Sequence, residues 1–391
     1  MKSENQRRTR SAVRKIPVSL LRPGMVLYRP VFGPDGQLWL NAGVELKSKY
    51  ITSLWRAGIS FVFISDPLLS DVLVTEVVSE ETRRQAVKAV KETLKTAKLT
   101  KQNSLLIDKR FSSIVEKLVR EVLASKDVLI NLADIRDVDD YTFMHSVNVC
   151  VLSLLNAADS DLSQARLEEL GGGALLHDLG KIWISEFTLK KKGSLTPEEY
   201  HEVKKHPTFG FEILTSQANY SPNSAKVVVQ HHERCDGSGY PYNLEKDDIH
   251  FYARLVMIAD VYDALTADRP YRLGMKPHKA IEIITDCAET YDRPLVDSFL
   301  KHIAPYPVGT ALRLSNGHLG IVIQNRKEMP LQPVVRIFKN GDGFLYREPF
   351  DLDLSDKPNL QISDVLNDAE SELELPVMIK HRKDVNKWQP R

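Results

Sequence analysis

The chain has 391 residues, 42% of them hydrophobic, and a formal net charge of +1 at pH 7, so it can form two or three domains with sizeable cores, and its overall charge favours no nucleic acid polymer as a partner. No apolar run approaches the ~18–20 residues that a transmembrane helix needs. The three cysteines, Cys150, Cys235 and Cys287, form neither a CxxC pair nor a disulfide framework, which predicts a cytoplasmic protein.

The first third of the chain predicts three segments. Residues 1–15 form a basic tail with no apolar stretch after it, which is not the pattern of a signal peptide. Its cations suit a solvated tail or contact with nucleic acid or anionic lipid. Residues 16–70 predict a small β-rich module with a helix over 46–57, either regulatory, partner-binding or purely structural. Residues 71–133 predict a helical linker or bundle, because apolar residues recur there at helical spacing.

The remaining two thirds predict a mainly α protein. Residues 134–305 are helical in their periodicity and form the predicted catalytic domain. Residues 306–352 predict a small β appendage with hairpin signals at Asn316-Gly317 and Asn340-Gly341, and residues 353–391 a partly disordered tail. The fold class is therefore an all-helical domain flanked by two small β-rich parts. Within the helical domain, helices are predicted over 142–155, 162–176, 196–206, 209–215, 225–232, 253–266 and 276–289.

Three glycines interrupt one of these predicted helices. Gly171, Gly172 and Gly173 lie inside the helix over 162–176, where each glycine costs about 1 kcal/mol relative to alanine. Close packing of helices or a nearby ligand is the usual reason for such residues. A clearer signal opens the helix at 196, where threonine, proline and glutamate stand at N-cap, N1 and N3.

Histidines and carboxylates recur beside apolar residues of the helical domain. Such groups are costly next to a core unless they are paired or bind a metal. Nitrogen and carboxylate donors without thiolates suit hard or borderline divalent cations, and Fe, Mn, Zn, Co, Ni and Mg all remain candidates. Seven candidates are too many for one tetrahedral zinc, so two ions that share a bridging carboxylate are the simplest interpretation. The seven candidate metal ligands are His145, His177, Asp178, His206, His231, His232 and Asp260.

Two metal ions ~3.5–4 Å apart suit the hydrolysis of a phosphodiester, because they activate a bridging water and neutralise charge on the phosphate. Lys181 lies one predicted helical turn beyond His177 and is a candidate phosphate contact, with a surface lysine as the alternative. The loop over 235–241 is rich in glycine, which lets a backbone approach a ligand closely, and its Tyr240 offers a ring and a hydroxyl. Arg269 and Arg272 suit phosphate and guanine contacts, although a solvated loop explains them equally.

Three motifs resemble those of the HD-GYP family, a bacterial branch of the HD-domain metal-dependent phosphohydrolases. They are HDLGK at 177–181, HHERCDGSGYP at 231–241 and IADVYDALT at 258–266. The resemblance covers roughly residues 134–306. It implies an all-α catalytic domain with two or three metal ions that hydrolyses the bacterial second messenger cyclic di-GMP to pGpG, sometimes on to GMP.

The resemblance also implies roles for single residues. Lys181 and Asp178 would be the catalytic pair, with Lys181 contacting the scissile phosphate and helping to place the water. The nucleotide site would be lined by Gly239, Tyr240, Arg269 and Arg272. One metal would be held by His145, His177, Asp178 and Asp260. The other would be held by Asp178, His206, His231 and His232.

The sequence departs from the family pattern at one position and leaves two alternatives open. Family members with three metals have a glutamate four residues before the first histidine, where this chain has Tyr141; two metals are therefore predicted. A receptor that binds cyclic di-GMP without cleaving it is one alternative. A phosphodiesterase for a hybrid cyclic dinucleotide or another phosphoester is the other. Signalling proteins that bind through the N-terminal module, and a homodimer, are compatible with either.

Overall fold

The protein is described by a computed structural model that covers residues 9–11, 14–32, 37–59, 61–100, 108–130, 141–191, 193–217, 219–267 and 274–367. The α-helices of this described part are α1 Ser48–Arg56, α2 Glu80–Thr100, α3 Lys109–Leu123, α4 Tyr141–Ala157, α5 Gln164–Leu175, α6 Glu186–Leu189, α7 Pro197–Val203, α8 His206–Thr215, α9 Pro222–Gln230, α10 Phe251–Thr266, α11 Pro277–Asp286 and α12 Arg293–Leu300. Its strands are β1 Thr9–Ser11, β2 Arg14–Pro17, β3 Val31–Phe32, β4 Leu38–Leu40, β5 Phe61–Ile64, β6 Leu73–Thr75, β7 Ala311–Leu314, β8 Leu319–Gln324, β9 Val334–Lys339, β10 Leu345–Asp353 and β11 Ile362–Val365. The predicted mainly α fold class is confirmed.

Residues 75–305 form a helical unit around one large apolar core. Helix α4 packs against α5 and α10, while α9 packs against α5 and α8. Helix α4 is central because its residues from Val147 to Leu155 are buried on every side, as expected for a helix that is apolar all round. This central position brings the polar residues of α4, α5, α8, α9 and α10 to one region of the unit.

Close helix packing explains one of two adjacent glycines in α5. A Cβ atom built on Gly173 would lie 2.9 Å from the Val227 side chain and 3.1 Å from the Ser224 backbone, both on α9. The neighbouring Gly172 is different, because its nearest atom would lie at an ordinary contact distance of 3.7 Å. One glycine of the pair is therefore required by the approach of α9, and the other is not.

This contrast gives a stability prediction with its own control. Gly173→Ala should destabilise the protein by about 1–3 kcal/mol, because an extra methyl group in a packed core forces its neighbours apart. Gly172→Ala should stabilise it by up to about 1 kcal/mol, because alanine favours a helix over glycine. Thermal unfolding of both variants beside the parent protein measures the two shifts. Equal shifts in the same direction would contradict the packing explanation.

The helix that precedes His206 ends earlier than the sequence predicts. The capping box is present, with the Thr196 side chain accepting from the backbone N–H of Glu199 and the Glu199 side chain accepting from that of Thr196. The predicted helix over 196–206 is wrong at its end, since α7 stops at Val203 and His206 begins α8. Pro207 lies in the first turn of α8, where its missing N–H needs no partner. The proline therefore starts a helix here instead of ending one.

The described residues within 9–74 and 306–367 form the second unit. In its described part, five antiparallel strands form a sheet in the order β10-β9-β8-β7-β11. Both terminal segments contribute to the core, which contains Leu68, Leu69, Val72, Val74, Ala311, Leu319, Ile321, Phe338 and Leu366. The segments that the sequence analysis treats as an N-terminal module and a C-terminal appendage therefore share one unit.

An ion-pair network around Arg336, whose two carboxylate partners are exposed, reinforces this second unit. The Arg336 guanidinium contacts the Asp71 carboxylate at 2.6 and 2.9 Å and the Asp351 carboxylate at 2.7 and 3.0 Å, and it donates to the Leu68 carbonyl at 2.8 Å. Hydrogen bonds that Arg336 donates to both carboxylates raise its pKa above the ordinary value. One side chain on β9 thus fastens the segment near residue 70 to the sheet.

Two further sequence expectations concern cysteines and membrane spans. Cys150, Cys235 and Cys287 are all free thiols, and only Cys287 is exposed. Among the helices that the structure describes, none has the length and apolar character that crossing a bilayer requires.

Candidate metal centre

All seven predicted metal ligands come together inside the helical unit. They come from α4, from the segment between α5 and the 3-10 helix Leu179–Trp183, from the first residue of α8, from the two residues that follow α9 and from the middle of α10. Within each of three groups, the potential ligand atoms all lie within 4.8 Å of one another. The groups are His145, His177 and Asp260; His177, Asp178 and His231; and His206, His231 and His232.

Asp178 lies between the two ends of this cluster. Its Oδ2 is 3.5 Å from His177 Nε2 and 3.9 Å from His145 Nε2. Its Oδ1 is 3.4 Å from His206 Nε2 and 3.9 Å from His231 Nε2. The two oxygens of one carboxylate therefore face two different sets of imidazoles, which is the arrangement that a bridging ligand needs.

The orientation of three imidazoles is fixed by the backbone. The Nδ1 atoms of His177, His206 and His231 lie 2.8–2.9 Å from backbone carbonyl oxygens three residues earlier in the chain. A carbonyl can only accept, so Nδ1 carries the proton in the neutral ring and the Nε2 lone pair is left for a metal. His206 Nε2 and His231 Nε2 are 3.2 Å apart, so both point into the same small volume.

The fourth imidazole is oriented by a carboxylate that the sequence analysis did not select. His145 Nδ1 lies 2.7 Å from Asp263 Oδ2, and Asn148 donates to the other oxygen of Asp263 at 2.8 Å. Asp263 is 2% exposed, and it stands one helical turn after Asp260 on α10. That spacing was the available signal, because a second acid three residues on shares the face of the first. Carboxylate–histidine–metal chains of this kind tune metal affinity.

Burial keeps most of these imidazoles neutral. Loss of water lowers the pKa of His206 to about 4 and that of His232 to about 3, and burial also lowers the pKa of His177 and His231. Burial acts on His145 in the same direction, but hydrogen bonds with Asp260 and Asp263 outweigh it and raise its pKa well above the usual value. Neutral imidazoles are the form that binds metals.

The donor set fits divalent cations. His177 Nε2 and Asp178 Oδ1 are buried and have no hydrogen-bond partner among the described residues. A buried polar atom left in this state costs about 1–3 kcal/mol, and coordination to a cation would remove that cost. The fit is to hard or borderline metals, because every donor is an imidazole nitrogen or a carboxylate oxygen.

Lys181 lies at the edge of the cluster, although not by the helical register that the sequence predicts. Helix α5 ends at Leu175, and Lys181 belongs to the 3-10 helix that follows. Its Nζ donates to Asp178 Oδ2 at 2.6 Å, and its side chain keeps 32% exposure. The neighbouring Gly180 leaves no room for a side chain, since a Cβ there would lie 1.9 Å from the His206 carbonyl oxygen. This close crossing fixes Asp178 and Lys181 against the start of α8.

The glycine-rich loop is shaped by its own packing. Glu233 is fully buried, and its carboxylate accepts from the backbone N–H groups of Tyr242 at 2.8 Å and Leu244 at 3.1 Å. A Cβ on Gly239 would lie 2.3–2.4 Å from the backbone of Glu233 and Arg234. Gly239 is therefore required by the fold of the loop itself, and Glu233 is a positioning residue that the sequence analysis did not select.

The loop places Tyr240 directly on the cluster. The Tyr240 ring stacks on the His232 ring with 4.7 Å between their centres and 25° between their planes. Its hydroxyl pKa is raised because the side chain is largely buried. Arg269 and Arg272, the other predicted nucleotide contacts, lie outside the described residues.

Removing the charge of Asp263 should weaken metal binding. Asp263→Asn keeps the size of the side chain but loses the carboxylate that orients His145, and changes of this kind cost about 10–100-fold in metal affinity. Competition titration against a chelator measures the loss. Asp286→Asn, at an exposed position at the end of α11, is the matched control. An unchanged affinity in Asp263→Asn would remove Asp263 from the centre.

Comparisons with known proteins find similarity to HD domains and to phosphodiesterases. Residues 117–295 match the family model of the HD domain, and residues 311–374 match that of a KOW domain associated with the HD domain. The chain is 36% identical to a cyclic di-GMP phosphodiesterase of Pseudomonas aeruginosa over 58% of this chain and 55% of that protein. It is 35% identical to a cyclic di-GMP phosphodiesterase of Thermotoga maritima over 52% of this chain and 55% of that protein. The chain thus spans about half the length of these two relatives.

A third relative carries a different substrate in its name. The chain is 36% identical to a 3'3'-cGAMP-specific phosphodiesterase of Vibrio cholerae over 41% of this chain and 35% of that protein. The names of these three relatives give two different cyclic dinucleotides, but each of them describes a phosphodiesterase.

Proposed function

We propose that this chain, whose residues 117–295 form an HD domain of the kind found in HD-GYP proteins, is a metal-dependent phosphodiesterase that hydrolyses cyclic di-GMP to pGpG. The observation that carries the proposal is the position of Asp178, whose two carboxylate oxygens face two sets of imidazoles. Two divalent ions, Fe or Mn, are part of the proposal. One would be held by His145, His177, Asp178 and Asp260, and the other by Asp178, His206, His231 and His232.

In this proposal, different residues around the centre bind the phosphate and orient the metal ligands. Bound divalent cations supply a Lewis acid for the phosphate and an activated water at neutral pH. Lys181 adds a cation beside Asp178, where it can pair with a phosphate oxygen and stabilise the negative charge of the transition state. Asp263 holds His145 in place, and the backbone carbonyls behind the other imidazoles keep their Nε2 atoms directed at the centre.

The proposed end product, pGpG, follows from the proposed number of metal ions. The position that supplies a third-metal glutamate in the family holds Tyr141 in this chain, and a phenol is a poor substitute for a carboxylate ligand. The proposal places the activity in the cytoplasm of a bacterial cell, in agreement with three free cysteines. Arg269 and Arg272 remain proposed nucleotide contacts together with Tyr240.

A direct assay tests the proposal. Protein purified without oxygen and loaded with Mn or Fe should convert cyclic di-GMP to pGpG, with about two metal ions per chain. Product identification by mass spectrometry and metal analysis on the same sample give both results. Tight binding without any product would favour a receptor, and no turnover with any divalent metal would overturn the proposal.

A second substrate has specific support. One relative is named as specific for 3'3'-cGAMP, and the chain is 36% identical to that relative over the matched region. The same assay with 3'3'-cGAMP decides the preference, because the ratio of the two kcat/KM values measures the discrimination directly.

A further inference from the structure

A lysine that contacts two aromatic rings, and that pairs with no carboxylate among the described residues, lies close to the candidate metal centre. Lys204 is the C-cap of α7, and its Nζ lies 4.8 Å from the centre of the Tyr200 ring and 5.2 Å from that of the Tyr240 ring. Within the described residues no carboxylate pairs with this ammonium group. Lys181 and Lys191, by contrast, each lie 2.6 Å from a carboxylate oxygen.

Two separate elements position this ammonium group. Tyr200 and Lys204 are four residues apart at the end of α7 and therefore share a face. Tyr240 comes from the glycine-rich loop and stacks on His232. Only one aromatic ring thus separates Lys204 from a candidate metal ligand. Cation–π contacts hold an ammonium in place without neutralising its charge, so Lys204 stays available to an anion.

The proposed substrate supplies a suitable anion. A cyclic dinucleotide has two phosphodiester groups, and only one of them can be at the metal centre during cleavage. The other must leave water when the ligand binds, which is costly for a charged group unless it meets a cation. A lysine binds phosphate as a point charge and needs no fixed hydrogen-bond geometry.

We propose that Lys204, positioned by Tyr200 and Tyr240, binds the phosphodiester of the cyclic dinucleotide that is not being cleaved. This inference rests on the proposed function and adds a specificity-determining residue to it. A second cation beside the metal centre favours ligands that carry two phosphodiesters over ligands that carry one. The same contact ties substrate binding to the position of the glycine-rich loop.

Two substrates separate this role from a structural one. Cyclic di-GMP has two phosphodiesters, and bis(p-nitrophenyl) phosphate has one. In the Mn-loaded full chain, Lys204→Met should raise KM for cyclic di-GMP about tenfold, the usual scale for losing one charge-assisted contact. Its kcat should change less than about twofold, because a contact to a non-reacting group is made equally in the ground and transition states. The ratio of kcat/KM for cyclic di-GMP to that for bis(p-nitrophenyl) phosphate should therefore fall about tenfold.

Three further variants complete the test. Lys204→Arg keeps the cation and should restore most of the selectivity ratio, whereas Lys204→Gln should behave like the methionine variant. Lys205→Met, at the adjacent exposed lysine, should match the parent protein. Metal content and thermal midpoint are measured for each variant to detect a folding defect. If either Lys204→Met or Lys204→Gln is misfolded, the selectivity ratio of the other neutral variant is used for the test.

The outcomes are distinct. An equal loss of kcat/KM for both substrates would overturn the inference, because it would mean that Lys204 only holds the loop. An unchanged selectivity ratio, in a parent protein that does cleave cyclic di-GMP, would also overturn it and leave the proposed function standing. A parent protein that cleaves no cyclic dinucleotide would overturn the proposed function and this inference together.

Discussion

Asp178→Ala should abolish metal binding and phosphodiesterase activity together. The carboxylate is 5% exposed, and its two oxygens face imidazoles on opposite sides of the cluster. Its loss removes a ligand from both proposed ions, whereas the loss of an orienting group behind a ligand already costs about 10–100-fold in affinity. We therefore expect bound metal to fall from about two ions to less than one per chain, and kcat/KM for cyclic di-GMP to fall more than about 10³-fold.

Metal analysis and steady-state kinetics on the same preparation check this result. Asp286→Ala is the matched control, because Asp286 is an exposed aspartate of the same unit and should leave both values unchanged. Circular dichroism of the metal-free proteins separates a lost ligand from a lost fold. Activity close to that of the parent protein, or two ions retained by the Asp178 variant, would remove Asp178 from the centre and with it the argument for a shared ligand.

The ligand set is the part of the site that the sequence could predict. Each of the seven residues lies in a segment where a polar side chain interrupts apolar neighbours. The motif at 177–181 is the starting point from which the other ligands are recognised. The groups that hold the ligands in place were not predictable in the same way. Asp263 is one more acid on an apolar helix, and Glu233 follows two histidines in a loop. Their roles depend on the tertiary distance to His145 and to the backbone of residues 242–244.

Some elements of the fold could also be predicted from the sequence, and others could not. Helices α4 and α10 were predicted to within a few residues, because each is a long apolar stretch that no glycine or proline interrupts. The hairpin signal at Asn340-Gly341 agrees with the antiparallel pairing of β9 and β10, whereas strand β11 lies in the segment that was predicted to be a partly disordered tail. The shared core of residues 68–74 and 311–366 was also missed. Contacts between segments so far apart in the chain leave no trace in local periodicity.

The contact of Lys181 with Asp178 favours the ionised form of the Asp178 carboxylate. Burial alone would raise the pKa of Asp178, but Coulombic attraction from Lys181, which contacts the carboxylate, helps to lower that pKa well below its ordinary value. The carboxylate therefore stays ionised and ready to bind metal. In the proposed mechanism the same cation pairs with a phosphate oxygen. Lys181 can meet the phosphate while Asp178 meets the cations, which separates electrostatic stabilisation from metal binding.

Lys181→Met should thus lower activity while the metals stay bound. We expect kcat to fall about 10²–10³-fold, the usual cost of removing one donor that stabilises transition-state charge, with metal content near that of the parent protein. Lys190→Met is the control, because that lysine is 78% exposed and pairs with Glu186 on the surface; its kcat should not change. If Lys181→Met lost metal in proportion to activity, Lys181 would act by holding Asp178 and not by meeting the phosphate. A fall in kcat alone places its charge at the reacting group.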